Sequence, residues 1–180
     1  MTERTPRRAY LDLQKLARDQ GRNTQQLFEL YIHERFLARL AESRFADKLV
    51  LKGGMLLAVL DVRRGTRDAD MLARGLANNE SKLRAVVGEI AAISLDDGVG
   101  FDTTAISVAP IREGVEYEGV RLVLPASLGG AELKLRLDLS FGDPVKPLRI
   151  EYPTLLGDSD FRLLGYPLES VIAEKADTMM

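Results

Sequence analysis

Three carboxylates, two glycines and a handful of cations carry the chemistry this sequence can do. Asp68-Ala69-Asp70 opens a short apolar run, read as a strand over 68–72. Residues i and i+2 of a strand share a face, so the two carboxylates stand side by side. Neighbouring carboxylates repel, and burying them requires a cation or raised pKa values. Mg²⁺ or Mn²⁺, which prefer oxygen ligands, would meet that need. A bare D-x-D is mostly a pair of exposed acids, but here a glycine turn and a short helix precede it. The turn is Lys52-Gly53-Gly54, between the apolar Leu49-Val50-Leu51 and a helix expected over 55–60. Glycines let backbone approach a phosphate closely, and a helix start offers free N–H groups. Alone, such a pair is a plain tight turn. The third carboxylate is Asp138, on a strand expected over 132–141. There Leu133, Leu135, Leu137, Leu139 and Phe141 alternate with Glu132, Lys134, Arg136, Asp138 and Ser140. If this strand lies beside 68–72, Asp138 completes a cluster able to hold metal and activate a hydroxyl against a nucleotide α-phosphate.

Cations flank the cluster. Arg64 and Arg67 could neutralise phosphate as bidentate donors, or pair with an aspartate. Thr66 shares the face of Asp68 and Asp70 in an extended chain; its hydroxyl is a candidate for inactivating phosphorylation or a simple hydrogen bond. His33, the only histidine, sits mid-helix beside Glu34 and Arg35 and reads as structural or surface.

The elements that must position these groups follow from periodicity. Helices are expected over 6–20, stopped by Gly21, and over about 24–46, capped by Asn23 or Thr24. The second has an apolar stripe broad enough to require packing on a core. After the glycine turn and the 68–72 strand comes an amphipathic helix over 80–93, then strands over 103–110, 119–125, 132–141 and 148–152. Gly129-Gly130 and Gly142-Asp143-Pro144 punctuate them. Another amphipathic helix begins at Glu169. The pattern is α+β: a helical N-terminal lobe over 1–48 and a core over 49–180.

Composition narrows the class. With 180 residues, 46% apolar and 29% charged, the chain can bury a real core. The absence of cysteine excludes disulfides and Cys-based zinc sites and is compatible with a reducing cytoplasm. Residues 1–8 are polar with no apolar run after them, so no secretory signal is expected, and no run is long enough to span a membrane. The net charge of −2 gives no global basic footprint, although residues 1–48 carry ten Lys/Arg against seven Asp/Glu. A nucleic-acid partner would therefore be held by local patches.

Together these residues resemble the nucleotidyltransferase superfamily, and more closely its AbiEii/AbiGii toxins of type IV toxin–antitoxin systems. The resemblance rests on YIHERFLARL (31–40), VLKGGM (50–55), RGTRDAD (64–70), LDLSFGD (137–143), YPTLL (152–156) and YPLESVIAEK (166–175), in that order. It implies a mixed β-sheet flanked by helices, with Gly53 and Gly54 as the phosphate-binding turn and Asp68 and Asp70 as metal carboxylates. Lys175 matches the family's functional lysine, which contacts nucleotide phosphates; without the resemblance, a lysine on a helix with Glu169, Glu174 and Asp177 is a surface ion pair. The resemblance further implies a nucleoside triphosphate substrate, an RNA acceptor with tRNA 3′ ends as precedent, and a separately encoded antitoxin. Two departures stand out. Met55 replaces the small hydroxyl residue often found after the glycines, and the chain stops at Met180, before the family's C-terminal helical region.

Two other readings compete with an enzyme that moves a nucleoside monophosphate onto RNA. One is a truncated, non-catalytic module that binds nucleotide or antitoxin. The other is a kinase-like phosphoryl transferase, since a metal site alone does not choose which phosphorus is attacked.

Overall fold

Side chains that close the first turn set where the helices begin. In the computed structural model, which describes residues 3–60, 65–114, 116–171 and 173, α1 spans Pro6–Gln20. Its N-cap Thr5 accepts from the Arg8 N–H, and it ends at Gly21 in the left-handed conformation. Asn23 caps α2 (Thr24–Glu42) by accepting from the Gln26 N–H at 3.1 Å. The second helix stops short of the expected 46 because the Ser43 N–H turns back to the Leu40 carbonyl and the chain leaves in an extended conformation. Next come β1 (Leu49–Lys52), the single turn α3 (Gly53–Leu56) with a 3₁₀ turn over Leu57–Leu60, and β2 (Ala69–Ala73). Asn79 caps α4 (Glu80–Ala91).

Six strands follow: β3 (Val99–Phe101), β4 (Ser107–Glu113), β5 (Glu116–Leu128), β6 (Ala131–Phe141), β7 (Leu148–Tyr152) and β8 (Phe161–Gly165). The strand expected over 103–110 starts only at Ser107, as β4, because residues 102–106 turn; β3, before that turn, was not expected. Asp102 makes that turn by accepting from both the N–H and the hydroxyl of Thr104, at 3.0 and 2.6 Å. The strand β8 was not expected from the sequence.

Among the described residues the strands form one mixed sheet in the order β3-β5-β6-β2-β1-β8-β7, with β4 also on β5. β2 runs parallel to β6 and antiparallel to β1. This is the α+β architecture of a mixed sheet flanked by helices. One contiguous apolar cluster joins the buried faces of α1, α2 and α4 to the sheet.

α2 lies deepest. From Leu27 to Leu40 all residues but Glu29 are buried, charged ones included, so each charge needs a partner. Arg39 donates to both Asp97 oxygens at 2.7 and 3.1 Å, and the Glu34 carboxylate accepts from Arg35 and from the Leu155 N–H at 2.9 Å each. His33 is fully buried, with its ring nitrogens against the Glu29 carbonyl at 2.6 Å and the backbone of Arg136 at 3.2–3.3 Å. β2 pairs with β6 only along Leu137–Phe141, and the imidazole takes over the β6 edge where that ladder stops. Burial lowers the affinity of His33 for a proton. It is a structural pin.

Candidate active site

The sheet register assembles the site. Lys52 on β1 faces Asp70 on β2, Asp70 faces Asp138 on β6, and Asp138 faces Arg121 on β5. Four strands thus contribute one charged residue each to a single cross-strand row, ordered plus, minus, minus, plus. Arg121 grips Asp138 bidentately, Nε to Oδ1 at 2.8 Å and a terminal nitrogen to Oδ2 at 2.7 Å. The same guanidinium lies 3.6 Å from Asp68, which stands one residue before β2. The three aspartates anticipated from the sequence are therefore brought to one side of the sheet.

Their electrostatics follow from that gathering. Burial pushes the Asp70 carboxyl up to about 6, and the charges of Asp138 and Asp68 add to the effect; Lys52 and Arg121 oppose it. Arg121, beside Asp138, is held firmly protonated. Three carboxylates meet two cations here, and the shortfall is felt at Asp70.

Hard oxygen donors of this kind suit a divalent ion in chemistry. Their placement is a separate matter. Among the described residues, no three His, Cys, Asp or Glu side chains stand together as a metal cage. Both oxygens of Asp138 accept from Arg121, so an ion using Asp138 would share those oxygens with the guanidinium through their remaining lone pairs.

The glycine turn does something the sequence did not announce. Gly53 has φ +69°, and a Cβ there would collide with the Asp70 carboxylate. A Cβ on Gly54 would come to 3.3 Å from the Thr66 hydroxyl. The turn is pressed against the acidic row, and glycine at 53 is demanded by that approach as well as by its backbone conformation. The Thr66 hydroxyl itself donates to the Asp68 carbonyl at 2.9 Å, which holds the approach to β2. The helix after the turn is only one α turn, shorter than the 55–60 helix expected, and it begins at Gly53 without a side-chain cap.

Lys52 stands 3.8 Å from Asp143 and 5.6 Å over the Tyr166 ring, and the Tyr166 hydroxyl donates to Asp143 at 3.0 Å. Arg67 is exposed beside Asp68. Arg64 and Lys175 lie outside the described residues. Arg121, Asp143 and Tyr166 are the site neighbours that sequence reasoning missed as site residues. No described helix is long and apolar enough to cross a membrane.

Residues 35–180 match the profile of a family described as "Nucleotidyl transferase AbiEii toxin, Type IV TA system". Among solved structures, a protein from H. pylori described as a candidate nucleotidyltransferase matches at 19% identity and a TM-score of 0.51, over 79% of this chain and 56% of that one. JHP933 from Helicobacter pylori matches at 20% identity and a TM-score of 0.49, over 79% and 54%. The first likeness concerns the fold alone, and the second carries no argument. The chain spans little more than half the length of either protein. No protein with a curated description matches it.

Proposed function

The chain belongs to the AbiEii family of nucleotidyl transferase toxins, and from that premise we propose that it moves a nucleoside monophosphate from a nucleoside triphosphate to the 3′ hydroxyl of an RNA, with tRNA as the acceptor. The observation that carries this reading is the cross-strand row, which sets two carboxylates edge to edge beside a glycine turn, with Asp68 close by.

Asp68, Asp70 and Asp138 would hold the divalent ion, Mg²⁺ or Mn²⁺. Bound there, it would neutralise phosphate charge and polarise the reacting oxygens. The residues of the chain do the rest. Lys52, at the start of the glycine turn, offers its ammonium to the β- and γ-phosphates, with Arg64, Arg67 and Lys175 as further cations. Gly53 and Gly54 keep side chains out of that approach. The acceptor hydroxyl oxygen forms a bond to the α-phosphorus, the bond from that phosphorus to the bridging oxygen breaks, and pyrophosphate leaves with the electron pair. The hydroxyl proton passes to a carboxylate of the cluster, and Asp138 lies farthest from the glycine turn. The helical lobe over 1–48 acts as the support on which this sheet is built, and a separate antitoxin protein restrains the activity. The reaction takes place in the cytoplasm, where triphosphates and tRNA meet.

The test incubates the protein with total tRNA and each labelled nucleoside triphosphate. Label should enter RNA with one triphosphate and Mg²⁺ or Mn²⁺, and Asp70→Asn should abolish it. Unchanged labelling by Asp70→Asn rejects the assignment. Triphosphate binding without transfer supports a binding module instead, and label that enters as a γ-phosphate supports the kinase-like reading.

A further inference from the structure

Of the two cations in the row, Arg121 commits only part of itself. Its side-on edge, Nε and the terminal nitrogen Nη2, is given to Asp138. A guanidinium carries its N–H donors in one plane, so a pair spent on a carboxylate leaves an outer edge for a second anion. Among the described residues the other terminal nitrogen, Nη1, makes no hydrogen bond, and the side chain is 44% exposed. The strand beneath it is firmly placed. Val120 and Leu122, on either side of Arg121, are buried in the core, and a Cβ on Gly119 would collide with the Leu139 carbonyl. That close approach draws β5 onto β6 beside the Arg121–Asp138 pair, and a slip in register would bring the apolar neighbours out.

We propose that Arg121 is a further catalytic residue, whose free edge takes the non-bridging oxygens of the triphosphate's α-phosphate; the inference rests on the nucleotidyl transfer proposed above. Position carries it first. Lys52 and the glycine turn mark one end of the row and Arg121 the other, with Asp70 and Asp138 between them. A triphosphate with its β- and γ-phosphates at Lys52 sets its α-phosphate over the two carboxylates, beside the guanidinium. Reach comes second. The nitrogen that donates to Asp138 at 2.7 Å lies 3.6 Å from Asp68, so the guanidinium stands between these two carboxylates and not outside the cluster. The third support is chemical. A planar fork matches phosphate oxygens as it matches carboxylate oxygens. As the acceptor oxygen closes on the α-phosphorus and pyrophosphate departs, charge on the non-bridging oxygens meets a donor that is already oriented. Asp138 is then the group that aims Arg121, as well as a carboxylate of the cluster.

The experiment uses the full chain with Arg121→Gln and Arg121→Lys, and circular dichroism checks that each folds. Calorimetry reads Mn²⁺ alone and then, with Mn²⁺ present, the α,β-methylene nucleoside triphosphate that the parent binds best. Arg121→Gln removes a cation from the carboxylates, so it should bind Mn²⁺ as well as the parent or better. It should bind the triphosphate at least about tenfold more weakly, the scale of a lost charged hydrogen bond. Arg121→Lys keeps the charge without the planar fork; it should match the parent for Mn²⁺ and still lose about threefold or more for triphosphate. The affinity gap between the two α-phosphorothioate diastereomers of the same nucleotide should also shift in Arg121→Gln, because a contact at those oxygens tells them apart. Triphosphate held by either variant as tightly as by the parent would make Arg121 a counter-ion alone. Mn²⁺ and triphosphate weakening in step would make it a support for Asp138. A diastereomer gap that does not move would leave only a distant charge. Each of these results overturns the inference. Labelling of total tRNA by the parent separates the two levels. Triphosphate bound without transfer defeats the transfer and leaves calorimetry to decide the α-phosphate contact, whereas a parent that binds no triphosphate defeats both.

Discussion

Replacing Asp70 by Asn should stabilise the metal-free protein at neutral pH, and the size of the gain can be worked from its surroundings. The carboxyl titrates at about 6 in the folded chain against an ordinary 3.8, chiefly because it is partly buried and then because Asp138 and Asp68 face it. Below 3.8 both folded and unfolded chains carry the proton, and the group contributes no penalty. Between 3.8 and about 6 the unfolded chain ionises first, so stability falls as pH rises; above 6 the loss is complete. The gap corresponds to about 3 kcal/mol, at 1.36 kcal/mol per tenfold change in proton affinity. Asp70 is only half-buried, and solvent screening brings this to about 1–2 kcal/mol. His33 works against it: its lowered affinity for protons removes stability as pH falls below its unfolded value of 6.5. The parent profile alone therefore mixes opposing slopes, and the informative quantity is the difference between Asp70→Asn and parent. Urea denaturation in chelator from pH 4 to 8 should show that difference rising through pH 4–6 and levelling near 7. Millimolar Mn²⁺ should then reverse the order, since only the parent gains binding free energy. Curves that stay parallel across the pH range would refute the argument that Asp70 is held in an electrostatically unfavourable place.

Other expectations are narrower. Gly53→Ala meets both a left-handed backbone and the Asp70 carboxylate, and should lose about 2–4 kcal/mol of stability in urea. Arg121→Ala removes a cation that opposes the Asp70 shift, so the Asp70 titration followed by carbon NMR should move further up, above about 6. His33→Ala leaves the Arg136 backbone without its partner and opens a cavity, at a cost of about 2–4 kcal/mol by denaturation. Triphosphate binding by the folded fraction of that variant should be unchanged.

Much of the fold could be read from periodicity. The bounds of α1, the Asn23 cap of α2 and the alternation of β6 are local properties, set by capping and by one buried face. The end of α2 and the late start of β4 were missed because a serine and an Asx turn redirect the backbone without interrupting the apolar pattern. Asp68, Asp70 and Asp138 were found as residue types, but their adjacency depends on a parallel pairing of β2 with β6 that no local signal specifies. Arg121 was within reach. The tight turn at Gly129-Gly130 pairs Leu128 with Ala131, and counting seven residues outward on each strand places Arg121 opposite Asp138. The close fit of Gly53 on Asp70 could not be seen, since it is a contact between elements and leaves no periodic trace.

The cross-strand row also constrains when the site can exist. Side chains alternate between faces, so a slip of one residue in any of β1, β2, β5 or β6 would turn that strand's charge into the apolar core. The β5–β6 hairpin can form from near neighbours, but joining Asp70 to Asp138 means closing a long stretch of chain in a parallel pairing, a slow kind of contact. During synthesis the acidic pair at 68 and 70 emerges well before its partners Arg121 and Asp138. A nascent chain therefore carries the acidic pair before its partners, and the row gains its geometry only once β2 has paired with β6.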